Sequence, residues 1–378
     1  MPWEEVSIMS QRREFVSLAL AEGSNISELC RRFGISRDIG YKWLHRYRQM
    51  GEAGLEDKSR RPRRSPARTA PFVEELVLGA RDSHPAWGPR KLRHWLARQG
   101  HQELPSPSTI CAILSRHGRI DPAQVAKHRP FKRFERQRPN ELWQMDFKGY
   151  FPTFQGDCFP LSVLDDCSRY AIGLEACANE QGPTVKDKLI PIFQCYGLPQ
   201  AMLMDNGNPW GGQGEPVYTS FEVWLMRLGI KVYHGRPFHP QTQGKDERFH
   251  KTLKAEVLQG RSFRDLSHCQ QAFDYWRPIY NTERPHEALG MDVPASVYHI
   301  STTPFPEKLP AIEYSQEDMV RKVQVDGTIT YRSIPFRVGY AFKGLPVALR
   351  PTNKDGVWDV FFMTHKVAQL DITNPENR

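Results

Sequence analysis

Between residues 141 and 259 the hydrophobic period switches repeatedly between strand-like and helix-like spacing, and this succession constrains the fold more than any other feature. ELWQMDFKGYF opens it: Trp143, Met145 and Phe147 point one way, and Gln144, Asp146 and Lys148 the other, as in a half-buried strand. After a turn at Gly156, CFPLSVLDDCSRYAIGLEACA reads as two further strands joined at DDCSR, which predicts an antiparallel three-strand meander. GPTVKDKLIPIFQCYG is an amphipathic helix, and AMLMDNG is a short buried strand with Asp205 at its tip. TSFEVWLMRLG is helix, KVYHGRP strand, and 241–259 a longer helix. On that last helix Glu247 shares a face with Lys251 and Lys254, while Phe249, Leu253 and Val257 form an apolar face for the sheet.

Three strands, helix, strand, helix, strand, helix is the order of a ribonuclease H-like α/β core. Such a fold would bring Asp146, mid-strand, close to Asp205 at a strand end. Carboxylates that near each other raise each other's pKa unless a cation compensates, so the pair favours metal. Mg²⁺ takes oxygen ligands, and two such ions about 3.5–4 Å apart neutralise the attacking and leaving oxygens of a phosphodiester. Taken alone, Glu247 is better read as an exposed partner of Lys251, worth only a few tenths of a kcal/mol. Asp165 and Asp166 are rival carboxylates at a strand turn, with Asp166 expected to support the site, and Glu256 is an alternative third ligand.

Upstream, the charge is lopsided. Up to Asn140 there are 27 Lys and Arg against 15 Asp and Glu; beyond it there are 25 against 28. All of the excess positive charge lies in the first third, which points to a polyanion partner for that part. Residues 10–50 read as three helices, with Ser24 and Asn25, and then Ser36, as caps and a turn at Gly34. In the third, Ile39, Trp43 and Tyr47 are expected inward, leaving Arg37, Tyr41, Lys42 and Arg46 for the major groove, the pattern of a helix-turn-helix. Arg61, Arg63 and Arg64 fall in an Arg/Pro/Ser-rich linker suited to phosphates or to a narrow minor groove.

PFVEELVLGARDSHPAWGPRKLRHWLARQG and PSPSTICAILSRHG predict a second three-helix module, with Val73, Leu76, Val77, Leu92, Trp95, Leu96, Ile110, Ile113 and Leu114 apolar. A second basic linker follows. Beyond residue 300 the period returns to two, with turn signals at Asp326–Gly327 and Lys354–Gly356 that predict a small β-barrel. The seven cysteines are an odd number and form no CxxC pair, so neither a disulfide framework nor a zinc site is indicated. The start MPWEEVSIM lacks a signal-peptide pattern, and no apolar run reaches membrane-spanning length.

LWQMD, MDNG, PQTQGKDERFHKTLKAE and YNTERPHEALG, in that order, resemble the DDE transposases of bacterial insertion sequences with a retroviral-integrase-type core. LCRRFGISR and GYKWLHRY resemble the end-recognition region of such proteins. The resemblance implies that Asp146, Asp205 and Glu247 are the catalytic and metal-binding residues. Asn206 and Lys245 stand at positions that shape the site or contact DNA, with Lys251 and Lys254 as further DNA contacts. The 41 residues between Asp205 and Glu247 exceed the family's familiar spacing, and PWGGQGEPVYT supplies the excess.

The expectation is a multidomain α+β chain. Residues 1–58 are a helix-turn-helix domain, 59–69 a linker, 70–120 a second helix-turn-helix-like domain, 121–140 a linker, 141–300 the catalytic core and 301–378 the barrel. Its function would be to bind the terminal inverted repeats of its element, cleave there, and join the 3′-hydroxyl ends to target DNA with two Mg²⁺ (or Mn²⁺) ions. It would act as at least a dimer on double-stranded DNA, with no membrane partner, in the bacterial cytoplasm and associated with the nucleoid. The alternatives are a sequence-specific DNA-binding regulator with an inactive core and a metal nuclease without joining activity.

Overall fold

The helices start where short polar side chains can take up the free N–H groups of a first turn. In the computed structural model, which describes residues 7–58, 69–120, 136–205, 207, 210, 218–235 and 244–373, Ser7, Asn25 and Ser36 cap α1 (Ile8–Ala19), α2 (Ile26–Arg32) and α3 (Arg37–Met50). Gly34 takes a positive φ of 65° at the turn between α2 and α3. Phe15, Val16, Ala19, Cys30, Trp43, Leu44 and Leu55 form the core of this first unit. Ile39 departs from expectation and is 42% exposed, with Gly40 buried in its place. The reason is steric: a Cβ on Gly40 would stand 2.5 Å from the Cys30 sulfur and 2.9 Å from the Phe15 ring.

The second unit begins at Thr69. Its first part is α4 (Pro71–Ser83), α5 (Pro89–Arg98) and α6 (Pro107–Arg116), around Val77, Trp87, Leu92, Leu96, Ile110, Ile113 and Leu114. Proline stands at the first turn of all three, where its missing N–H costs nothing, and Ser106 caps α6.

The expected three-strand meander is present as β1 (Trp143–Phe147), β3 (Gly156–Asp165) and β4 (Ala171–Cys177), with an unexpected short strand β2 (Phe151–Thr153) pairing with the start of β3. After α7 (Gly182–Tyr196) come β5 (Ala201–Met204), α8 (Ser220–Arg227), β6 (Lys231–His234), α9 (Gly244–Leu253) and α10 (Leu266–Pro278). The strands lie β4–β3–β1–β5–β6, with β1, β5 and β6 parallel and β3 antiparallel to both of its neighbours. Trp143, Met145, Leu161 and Val163 cover one sheet face against α7 and α8; Cys158, Leu164 and Leu174 cover the other against α9 and α10. α9 does not run regularly to residue 259 but passes into a π turn at Lys254–Leu258.

Two boundaries shift. The end of the supposed second linker is bound to the core, because Asn140 N–H donates to Asp165 at 2.7 Å and the Asn140 side chain accepts from the Trp143 indole at 3.0 Å. Past residue 300 the chain still lies on the core, with Leu198 N–H donating to Thr303 O at 2.8 Å.

The tail does not close into a barrel. β7 (Met319–Lys322), β10 (Pro346–Pro351), β11 (Val357–Phe362) and β12 (His365–Asp371) form an open sheet in the order β12–β11–β10–β7. β8 (Thr328–Tyr331) and β9 (Ile334–Arg337) pair only with each other. Closure is unnecessary here because the inner faces pack on Val223 and Met226 of α8, which supplies the missing wall.

Candidate active site

The site is set by strand register. Trp143 stands opposite Met202 and Gln144 opposite Leu203 in the parallel β1–β5 pair. Two residues further along both strands come Asp146 and Asp205, on chains spaced about 4.8 Å apart. Asp146 lies on the face away from the Trp143 cluster, and α9 packs over that face through Phe249 and Leu253. From α9, His250 places Nε2 2.8 Å from Ser162 Oγ and Nδ1 3.8 Å from Asp146 Oδ2.

Burial, and then the like charge of Asp205, raises the Asp146 carboxyl to about 7; Glu180 and Glu247 push the same way. His250 does not offset this, because burial and Lys148 lower it to about 4 and leave it neutral. Asp246, beside Glu247, is buried with no hydrogen-bond partner at Oδ1. Burial, Asp146 and Asp166 hold its pKa well above the usual carboxylate range. Hard oxygen donors in excess of positive charge fit a divalent cation. Among the described residues, no three His, Cys, Asp or Glu side chains are already closed to ligand separation.

Asp205 is fixed on both sides. Its Oδ1 accepts from Gly207 N–H at 3.0 Å, and its backbone carbonyl accepts from His234 Nδ1 at 2.8 Å. His234 Nε2 is 2.7 Å from Glu222, which completes a capping box with Thr219 on α8 and raises the histidine pKa. Trp210, 1% exposed, stacks on Phe147 and ties the chain after Asp205 to β1.

Several expected contacts take other roles. Lys245 is not a free cation for DNA: its ammonium pairs with the buried Asp166, which also accepts from Gln144 and from Arg136 N–H. Asp166 thus ties the start of α9 to β1. Arg46 is half-buried, donates to Glu56 O and lies over Trp43, so it is not displayed with Arg37, Tyr41 and Lys42, which are exposed. Glu256 is engaged by two tryptophans and Arg284 and does not face the carboxylates. Lys251 and Lys254 are exposed, as is Glu247. Arg61, Arg63, Arg64 and Asn206 lie outside the described residues.

Glu180, His250, Asp246 and Lys148 escaped the sequence analysis. Asp246 had a signal: it falls on the apolar stripe of Phe249, Leu253 and Val257, where an acid has no business without a partner. Lys148 shares the Asp146 side of β1, and its pKa is lowered by burial and by Lys254, so the two ammoniums flank one edge of the site.

Comparison with known proteins finds matching domain families along the chain. A helix-turn-helix domain matches residues 11–63 and a homeodomain-like domain 39–114. The integrase core domain matches 136–240 and 228–294, and the C-terminal domain of IS481 family transposases matches 318–377. The insertion element IS476 uncharacterized 39.2 kDa protein of Xanthomonas euvesicatoria is 26% identical over 72% of this chain and 78% of its own length. The transposase for insertion sequence element IS904 of Lactococcus lactis is 29% identical over 43% of this chain and 62% of its own length. Among solved structures, a chain of a simian T-cell lymphotropic virus intasome is 13% identical, covers 80% of this chain and 96% of its own, and has a TM-score of 0.40. No helix among the described residues is long and apolar enough to cross a membrane.

Proposed function

We propose that this chain, one of the insertion-sequence transposases with helix-turn-helix domains and an integrase core, binds the terminal inverted repeats of its element, cleaves there and joins the freed 3′-hydroxyl ends to target DNA. The observation that carries this reading is the parallel β1–β5 register, which sets Asp146 and Asp205 side by side, each two residues past the paired Gln144 and Leu203, on the sheet face that α9 covers. Asp146, Asp205 and Glu247 would hold two Mg²⁺ ions, with Mn²⁺ as substitute, and draw together as they bind. The ions would neutralise the attacking and leaving oxygens of the phosphodiester.

The chain's own groups do the rest. Lys251 on α9 and Lys254 at the start of the π turn after it, with Lys148 just past the end of β1, hold phosphates next to the carboxylates. The Asp166–Lys245 pair fixes the start of α9, and His234 with Glu222 fixes the Asp205 backbone. Exposed Arg37, Tyr41 and Lys42 on α3 enter the major groove at the element end, and Arg61, Arg63 and Arg64 follow the phosphates beside it. At least two copies act together to hold both ends.

The test is Asp146→Asn, Asp205→Asn and Glu247→Gln, each assayed on a duplex carrying the terminal repeat with Mg²⁺ or Mn²⁺. Each change should lower cleavage by at least about a hundredfold while leaving binding to the repeat intact. Cleavage retained in any one variant removes that residue from the triad. Binding by the unaltered chain without any cleavage would favour the regulator reading instead.

A further inference from the structure

We propose that Glu256 is a positioning residue that locks the helical module of residues 69–120 onto the helix carrying Glu247. Its side chain is only 9% exposed, and its two oxygens gather three donors from three elements. Oε1 accepts from Trp87 Nε1 at 3.2 Å and from Arg284 Nε at 3.0 Å; Oε2 accepts from Trp276 Nε1 at 2.8 Å. Trp87 belongs to the turn between α4 and α5, Trp276 to α10, and Arg284 to the segment that follows α10.

The module side is equally constrained. Trp87 is 1% exposed, stacks on His84 with ring centres 3.8 Å apart, and meets Trp95 edge-on. Around it, Ile279 packs into the module's apolar cluster and Arg98 donates to Thr282 O at 3.4 Å. A greasy patch alone would tolerate sliding, because apolar contact has no preferred direction. Indole N–H and guanidinium donors aimed at one buried carboxylate accept only one arrangement, and fixing register is the best-attested use of a buried polar group.

Glu256 stands nine residues after Glu247, on the π turn into which α9 passes. A DNA end held by the module is therefore held at a fixed place relative to the candidate cation site. This consequence for DNA rests on the proposed function; the lock itself does not.

The two exposed cysteines report on the lock directly. Cys111 lies on α6 and Cys195 on α7, while the other five are buried, so nitroxide labels attach on both sides of the hub in the full chain. Pulsed electron-spin measurement of the label separation should give one narrow distribution in the unaltered chain. Trp87→Phe, which keeps an aromatic ring, and Glu256→Gln, which has too few acceptors for three donors, should each broaden it at least about twofold. Binding to the terminal repeat should stay within about threefold, while joining falls by about a hundredfold and cut positions spread, as expected for a small misplacement of reacting groups.

A broad distribution in the unaltered chain, or a narrow one in both variants, overturns the proposal. If Glu256→Gln fails to fold, Trp87→Phe decides alone, because it leaves the Glu256–Arg284 pair intact. If the unaltered chain neither cuts nor joins DNA, the proposed function falls while the distances still decide the lock.

Discussion

Titratable groups drawn out of water beside like charge are where this protein is most informative. Asp146 and Asp246 are such groups on the acidic side, and the half-buried Lys91 on α5, near Arg284, is one on the basic side. Burial, with Arg284 adding to it, lowers Lys91 from its ordinary 10.5 to about 7. Between those two values the unfolded chain holds a proton that the folded chain has shed, so stability rises with pH through that window. The full penalty stands below about pH 7 and vanishes above the unfolded pKa. Lys91→Met should therefore raise the free energy of unfolding near pH 6, by an amount on the order of a few kcal/mol, and by much less near pH 10, as denaturant melts at the two pH values would show. Equal gains at both pH values would show that Lys91 is not buried as described. Asp146 and Asp205 were legible as candidates because each sits on a clear strand-like run, whereas Glu247, exposed on α9, was singled out only by the family resemblance. Of the two roles expected for Lys245, shaping the site or contacting DNA, the pairing with Asp166 favours the first; that partner lies 79 residues away in sequence, and no local pattern records such a pairing.

For elements, hydrophobic period located β1, β3, β4, β5 and β6 and the helices α7, α8 and α9, since each buries one face, but it missed the three-residue β2 and the helix α10. It could not choose between Ile39 and Gly40 on α3. That choice depends on how near α1 and α2 come, which is a property of three helices together. Gly40→Ala should drive the new methyl into Cys30 and Phe15, destabilising the first unit by about 1–3 kcal/mol. Denaturant unfolding of the full chain, followed by loss of repeat binding, measures it; unchanged stability would mean that α3 has room to move. The same limit explains the tail. Alternation identified strands, but whether they curl shut depends on what else is available to cover them.

At the scale of the whole molecule, all of the excess positive charge lies in the first 140 residues, and the proposed function would assign grip to that part and chemistry to the rest. Removing residues 1–58 should abolish preference for the terminal repeat and flatten the dependence of binding on salt, since fewer phosphates are neutralised. Metal-dependent nicking of non-specific DNA should persist. Undiminished preference would move recognition to the module at 69–120. The last sixty residues are a different matter, because Val223 and Met226 of α8 lie in one apolar cluster with Ile329, Phe342 and Val360. A premature stop codon near position 318 would not trim an appendage. It would strip the wall from a helix that also braces the sheet carrying Asp146 and Asp205, and the shortened product should pellet with the insoluble fraction of the cell rather than survive as a smaller soluble protein.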